Sequence, residues 1–199
     1  MKRKWNLKVM SDMITPYTLS KNKTFTLNLL SQIKRNGIPN LINYLLNSNY
    51  FYSPASTKYH NNFYGGLNRH CINVYELFVP RNQALANPIP LESEIIVSFC
   101  HDLCKVGYYY HDGTKWKGKK DHLSHGSHGV LSVQILKRFI ELTPEEEAVI
   151  KYHMGLFSVY GYGKEYSAGE MHKAIAQYPT VQVFASCDNE DAHAKNKGE

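Results

Sequence analysis

Cysteine is scarce and scattered. Four occur in 199 residues, at Cys71, Cys100, Cys104 and Cys187, and no two form a CxxC pair. A disulfide framework is therefore not expected, and reduced thiols are the default. Long apolar runs are missing too. No stretch approaches the roughly 18 consecutive apolar residues of a membrane span. The basic start MKRKWNLKVM has the charge of a secretory leader but not its apolar segment, because Asp12 interrupts at once. There is no internal repeat and no low-complexity linker. With 20% charged and 43% apolar residues, the chain is neither collagen-like nor wholly disordered. The expectation is one cytoplasmic, membrane-free domain, long enough to bury a core without staples.

Histidine, by contrast, is plentiful: ten residues, in a chain of net charge +6. The periodicity of apolar residues predicts helices over 24–35 and 38–48, separated by Gly37. An irregular stretch follows over 49–63. A helix over 66–79 is expected to stop at Pro80, with Leu67, Cys71, Val74 and Phe78 as its buried stripe. The next helix spans 91–105. After it, YYYHDGTKWKG reads as a β-hairpin turning at Asp112-Gly113. Helices over 127–140, with Leu131, Ile135 and Phe139 inward, and from 144 to about 153 come next. Thr143, Pro144 and Glu146 form a capping box at the start of the second. Two short helices over 168–177 and 180–193 precede a frayed tail, 194–199. The fold class is all-α with one small hairpin.

Several histidines fall on or beside apolar stripes. His70 neighbours Cys71, His128 precedes Leu131 by one turn, and His153 follows Val149 by four. Asp188 follows Phe184 by four. Taken singly, each is most simply a core residue bonded to a backbone carbonyl. Taken together they ask for a shared partner, since buried imidazoles and carboxylates are costly unpaired. A divalent metal satisfies all of them. His101-Asp102 is the most pointed pair: neighbours on a helix project about 100° apart and can clasp one ion. Lys105 lies one turn on, where it can neutralise a phosphoryl oxygen. The plain alternative is an Asp–Lys surface pair worth ~0.2–0.5 kcal/mol.

In chain order, GGLNRH (65–70), HDLCK (101–105), HG (128–129), HMG (153–155) and CDNEDA (187–192) resemble the HD-domain superfamily of metal-dependent phosphohydrolases. The resemblance covers about residues 50–193, leaving 1–49 as an N-terminal helical segment packed on the core. SPASTKYHNNFYGGLNRHCINVYEL is similar to the opening of the HD domains of certain bacterial 3′–5′ exoribonucleases, and to small HD proteins of bacteria and phages. The resemblance implies an HD helical bundle. It implies metal ligands at His70, His101, Asp102 and Asp188, with His128 and His153 adding a second ion and Asp102 bridging. His125, in HGSHG, is a rival to His128. Asp191 would orient a ligand histidine.

The activity implied is attack of metal-activated water on a phosphomonoester or phosphodiester, with Asp102 and Lys105 as catalytic residues. Lys58, His60, His125 and Lys105 would meet substrate, and His60 or His125 would protonate the leaving oxygen. Ligands without thiolate suit two ions of Mn, Fe, Co, Ni, Zn or Mg. The cysteines adjoin these ligands; Cys100 and Cys104, four apart, could form a thiolate pair, and the plainer reading makes all four small buried fillers. No acidic pair follows HDLCK, which argues against a guanosine tetraphosphate hydrolase. No GYP signature is present, which argues against a cyclic-dinucleotide phosphodiesterase of that type.

Basic residues gather over 2–8 and 115–120, the latter interleaved with Trp116 and Tyr108, Tyr109 and Tyr110. Tyr160 and Tyr162 punctuate a glycine loop. This pattern suits a nucleotide or short oligonucleotide, and equally a solvated hairpin whose lysines discourage edge pairing. Two other classes use the same residues: a diiron oxygenase, and a non-catalytic protein that sequesters a nucleotide. The sequence runs only eleven residues past Asp188, so the expectation is that a helix covering the site there is either missing or supplied by a partner copy in a homo-oligomer.

Overall fold

The computed structural model describes residues 15–119, 128–157 and 167–194. Among these the chain is mainly helical with one two-stranded hairpin, in the order α1 Pro16–Leu30, α2 Ile38–Asn47, α3 Gly66–Gln83, α4 Leu91–Cys100, a 3-10 turn Leu103–Lys105, β1 Tyr109–His111, β2 Trp116–Gly118, α5 His128–Leu136, α6 Pro144–Lys151, α7 Ala168–Gln177 and α8 Thr180–His193. No helix among the described residues is long and apolar enough to cross a membrane.

Helix α4 is the axis of the fold. Every residue from Ser93 to Cys100 is buried, as expected of a helix surrounded on all sides. Helices α1, α3 and α6 pack on it, and α8 lies across α3 and α6. Phe78, Phe99 and Phe184 fill the contact between α3, α4 and α8, with the Phe78 and Phe184 rings edge-on at 5.0 Å. Leu30, Leu41 and Leu45 of α1 and α2 belong to the same core.

Polar ties hold the helices in register. Glu146, wholly buried, closes the capping box of α6 with Thr143. Its carboxylate also receives both guanidinium arms of Arg35, at 2.8 and 2.7 Å, and the hydroxyl of Ser93. One side chain thus joins the α1–α2 connection to α4 and α6. A bidentate pair of this kind fixes orientation as well as charge.

Two glycines mark close approaches. A Cβ on Gly66 would sit 1.9 Å from the carbonyl oxygen of Asn61, and one on Gly129 would sit 2.2 Å from that of Lys151. No larger residue fits either place. The second contact lays the start of α5 directly on the end of α6, and so brings His128 toward His153.

Five sequence expectations need correction. Helix α1 starts at Pro16, not at 24, because Thr15 caps it and Pro16 takes the first turn. Helix α3 runs through Pro80 to Gln83. Pro80 and Glu76, whose carbonyl loses its partner, are both exposed, so water can take the place of the missing bond. The helix expected over 91–105 ends at Cys100, and His101 and Asp102 lie in the turn that follows. The hairpin does not turn at a two-residue Asp112-Gly113 loop: His111 pairs with Trp116. Asp112 Oδ1 organises a four-residue loop by accepting from the Thr114 and Lys115 amides. On α5 the buried face is Gly129, Ser132, Val133 and Leu136, with Leu131, Ile135 and Phe139 only half-buried.

Candidate metal centre

The break after α4 builds the centre. Because the helix stops at Cys100, the His101 imidazole folds back and its Nδ1 donates to the Ser98 carbonyl at 2.9 Å. The same device recurs after α6, where His153 Nδ1 donates to the Ile150 carbonyl at 2.7 Å. Carbonyls in a last helical turn want such donors. A carbonyl only accepts, so in both rings Nδ1 carries a proton and Nε2 is the nitrogen turned to the cluster, a lone-pair donor to a cation once its own proton is displaced. His70, in the second turn of α3, is set by another partner: Nδ1 donates to Asp191 Oδ2 at 2.6 Å. Asp191 is itself held by the amides of Asn61 and Asn73.

The three Nε2 atoms converge on carboxylates. His70 Nε2 lies 3.2 Å from His101 Nε2, 3.0 Å from Asp188 Oδ1 and 3.5 Å from Asp102 Oδ2. His101 Nε2 lies 3.5 Å from Asp102 Oδ2 and 3.6 Å from Asp188 Oδ1. His153 Nε2 faces the other Asp102 oxygen, Oδ1, at 3.6 Å. Oδ1 is buried and has no hydrogen-bond partner. Donors about 2.1 Å from one ion stand roughly 3.0 Å apart across an octahedral edge and roughly 3.4 Å apart across a tetrahedral one. The observed spacings, 3.0 to 3.6 Å, begin in that range and extend about 0.2 Å beyond it. His70, His101, Asp102 and His153 are all at most 2% exposed, so solvent is not the intended partner of this array of acceptors. The residues fit a metal ion, as a buried cluster of imidazole and carboxylate donors should.

The electrostatics agree. Burial alone would lower His101, yet the Asp102 and Asp188 carboxylates push it up to about 10. His70 is raised against burial by Asp188 and Asp191. Asp102, despite its burial, is held well below the usual carboxylate range by Lys105 and His101, and Asp188 by His101 and His70. Two ionised carboxylates thus draw positive charge into the cluster, and a proton and a cation compete for the same nitrogens.

Lys105 Nζ sits 2.7 Å from Asp102 Oδ2, close to Tyr109 of the hairpin. His128 lies near Asp102 and pairs with Cys104, Nδ1 to Sγ 3.3 Å. Burial and then Lys105 lower His128 to about 4. His60 packs against His70, the rings tilted by 51° with centres 4.9 Å apart. Its Nε2 is buried without a hydrogen-bond partner, and burial, with His70 and Lys105, lowers the ring to about 4.

Of the residues expected at the site, His70, His101, Asp102, His153, Asp188, Lys105, His60 and His128 are gathered into one neighbourhood. Lys58 is exposed on the preceding loop, and no ion pair among the described residues joins it to the cluster. His125 lies outside the described residues. Sequence reasoning did not place Asn61, Asn73 or Tyr109 here, and none of the three carried a signal; Cys104, inside HDLCK, stands beside the ligands as the sequence indicated. The chain finds no match among protein-family models, curated proteins or solved structures.

Proposed function

We propose that this chain is a metal-dependent phosphohydrolase of the HD type, cleaving a phosphomonoester or phosphodiester of a nucleotide or short nucleic acid. One observation carries the reading: imidazole lone pairs and two carboxylates converge on one buried spot, with the ammonium of Lys105 against it. His70, His101, Asp102 and Asp188 would hold one divalent ion, and Asp102, His153 and His128 a second. An ion bound there supplies Lewis acidity toward water and toward a phosphoryl oxygen.

The chain's own groups do the rest. Lys105 carries a fixed positive charge at the edge of the cluster and can meet a non-bridging phosphoryl oxygen. His60, neutral near pH 7 because its pKa is lowered to about 4, suits a hydrogen-bond partner of the substrate better than a proton donor. The hairpin that carries Tyr109 also carries Trp116 and Lys115, Lys117 and Lys119, with Lys117 paired to Asp112. Aromatic rings among lysines favour a base-bearing anion, which supports the nucleotide class.

The test is a hydrolysis panel of nucleotides, dinucleotides and short RNA with Mn²⁺, comparing wild type with Asp102→Ala. Release of phosphate, pyrophosphate or mononucleotide that the substitution abolishes supports the reading. No cleavage by a metal-replete preparation contradicts it, and oxygen uptake by an iron-loaded preparation would favour the oxygenase class.

A further inference from the structure

We infer that Cys104 is a metal ligand, completing with Asp102 and His128 a sulfur-containing position that takes a borderline ion such as zinc, cobalt or ferrous iron. The inference rests on Asp102 being a metal ligand, as proposed above.

Three observations carry it. First, Asp102, Cys104 and His128 each offer a donor atom, and these atoms lie within 4.8 Å of one another. Cys104 Sγ is 3.3 Å from His128 Nδ1, and Cys104 is 1% exposed. Second, Asp102 has an oxygen left for a cation. Oδ2 is engaged by Lys105, whereas Oδ1, with His153 Nε2 3.6 Å away, is buried and makes no hydrogen bond. Third, the geometry is built. Ser132 Oγ accepts the backbone N–H of Cys104 at 3.1 Å, and Ser132 lies one turn from His128 on α5. Residues four apart share a helix face, so one face of α5 pins the Cys104 backbone and presents the imidazole to its sulfur.

Packing alone would make Cys104 equivalent to Cys100, which is also buried but lies in none of the candidate ligand groups. When the sulfur takes up the ion, its proton passes to solvent, and the thiolate's negative charge is met by the cation. Thiolate donors select zinc, cobalt or iron over magnesium, calcium or manganese. The all-nitrogen-and-oxygen ligand set expected from sequence is therefore revised at this position.

Cobalt(II) substitution tests the inference in the full chain. Bound cobalt is measured by elemental analysis and by its visible d–d bands, and thiolate ligation by the near-ultraviolet sulfur-to-cobalt charge-transfer band. The expected result is a charge-transfer band in wild type that Cys104→Ser loses and Cys100→Ser keeps. Bound cobalt without that band, or a band that survives Cys104→Ser, overturns the inference and leaves the metal centre standing. No bound cobalt at all overturns the metal reading as well. If Cys104→Ser does not fold, single substitutions of Cys71, Cys100 and Cys187 decide: a band kept by all three assigns the sulfur to Cys104, and a band lost in any one refutes it.

Discussion

The Nδ1 proton of His70 is given to Asp191 across 2.6 Å, and that bond decides which nitrogen faces the metal centre. Asp191 is in turn clamped by Asn61 and Asn73. The residue acts on the centre without reaching it.

Asp191→Ala should therefore weaken metal binding by about 10–100-fold while leaving the helical content unchanged. Competition against a chelator of known affinity, alongside circular dichroism, measures both. Unaltered affinity in a folded variant would show that His70 does not depend on Asp191.

Lys105→Met should separate charge from ligation. The ammonium faces Asp102 Oδ2, but it cannot itself hold a cation. Metal content should stay that of wild type, while kcat of the proposed hydrolysis falls on the order of 10²-fold. Loss of metal from the folded variant would assign Lys105 a structural role instead.

The metal-free protein should be most stable near pH 6.5. His60 and His128 are lowered to about 4 in the fold, against about 6.5 when unfolded. Below pH 6.5 the unfolded chain takes protons that the fold refuses, so stability falls toward pH 4. His101 is raised to about 10, so its contribution is complete below pH 6.5 and is lost as pH rises toward 10. Thermal melts in the presence of chelator at pH 4.5, 6.5 and 9 give the profile, and His60→Gln should flatten its acid limb. A melting temperature that climbs steadily from pH 6.5 to 9 contradicts these assignments.

Arg35→Ala strands a wholly buried carboxylate. Glu146 keeps Ser93 and the Thr143 amide but loses both guanidinium bonds. The cost should be about 3 kcal/mol, read from urea unfolding, with an unchanged m-value. A loss below about 0.5 kcal/mol would place the pair with ordinary surface ion pairs.

Much of this arrangement was legible in the sequence because it is local. The capping box of α6 is written in Thr143, Pro144 and Glu146. The stripe of α3 is written in Leu67, Cys71, Val74 and Phe78, all of them buried. The HD, HG and HMG signals pointed to the histidines that gather here. What escaped is non-local. Arg35 meets Glu146 across 111 residues, and Asn61 meets Asp191 across 130; no periodicity encodes such pairs. The end of α4 also escaped, because HDLCK continues an apolar pattern. The fold spends that stretch on turning His101 and Asp102 inward instead. The two glycines beside the histidine motifs, Gly66 and Gly129, show their purpose only once the backbones they let together are seen.

The central claim is that His70, His101, Asp102, His153 and Asp188 form a metal centre. Its most direct test is metal content by mass spectrometry of purified wild type, dialysed against metal-free buffer, beside the double variant His101→Ala/Asp102→Ala. The account predicts at least one tightly held divalent ion per chain in wild type and none in the variant. A folded wild-type chain that retains no ion after incubation with Mn²⁺, Zn²⁺, Co²⁺ or Fe²⁺ would contradict it.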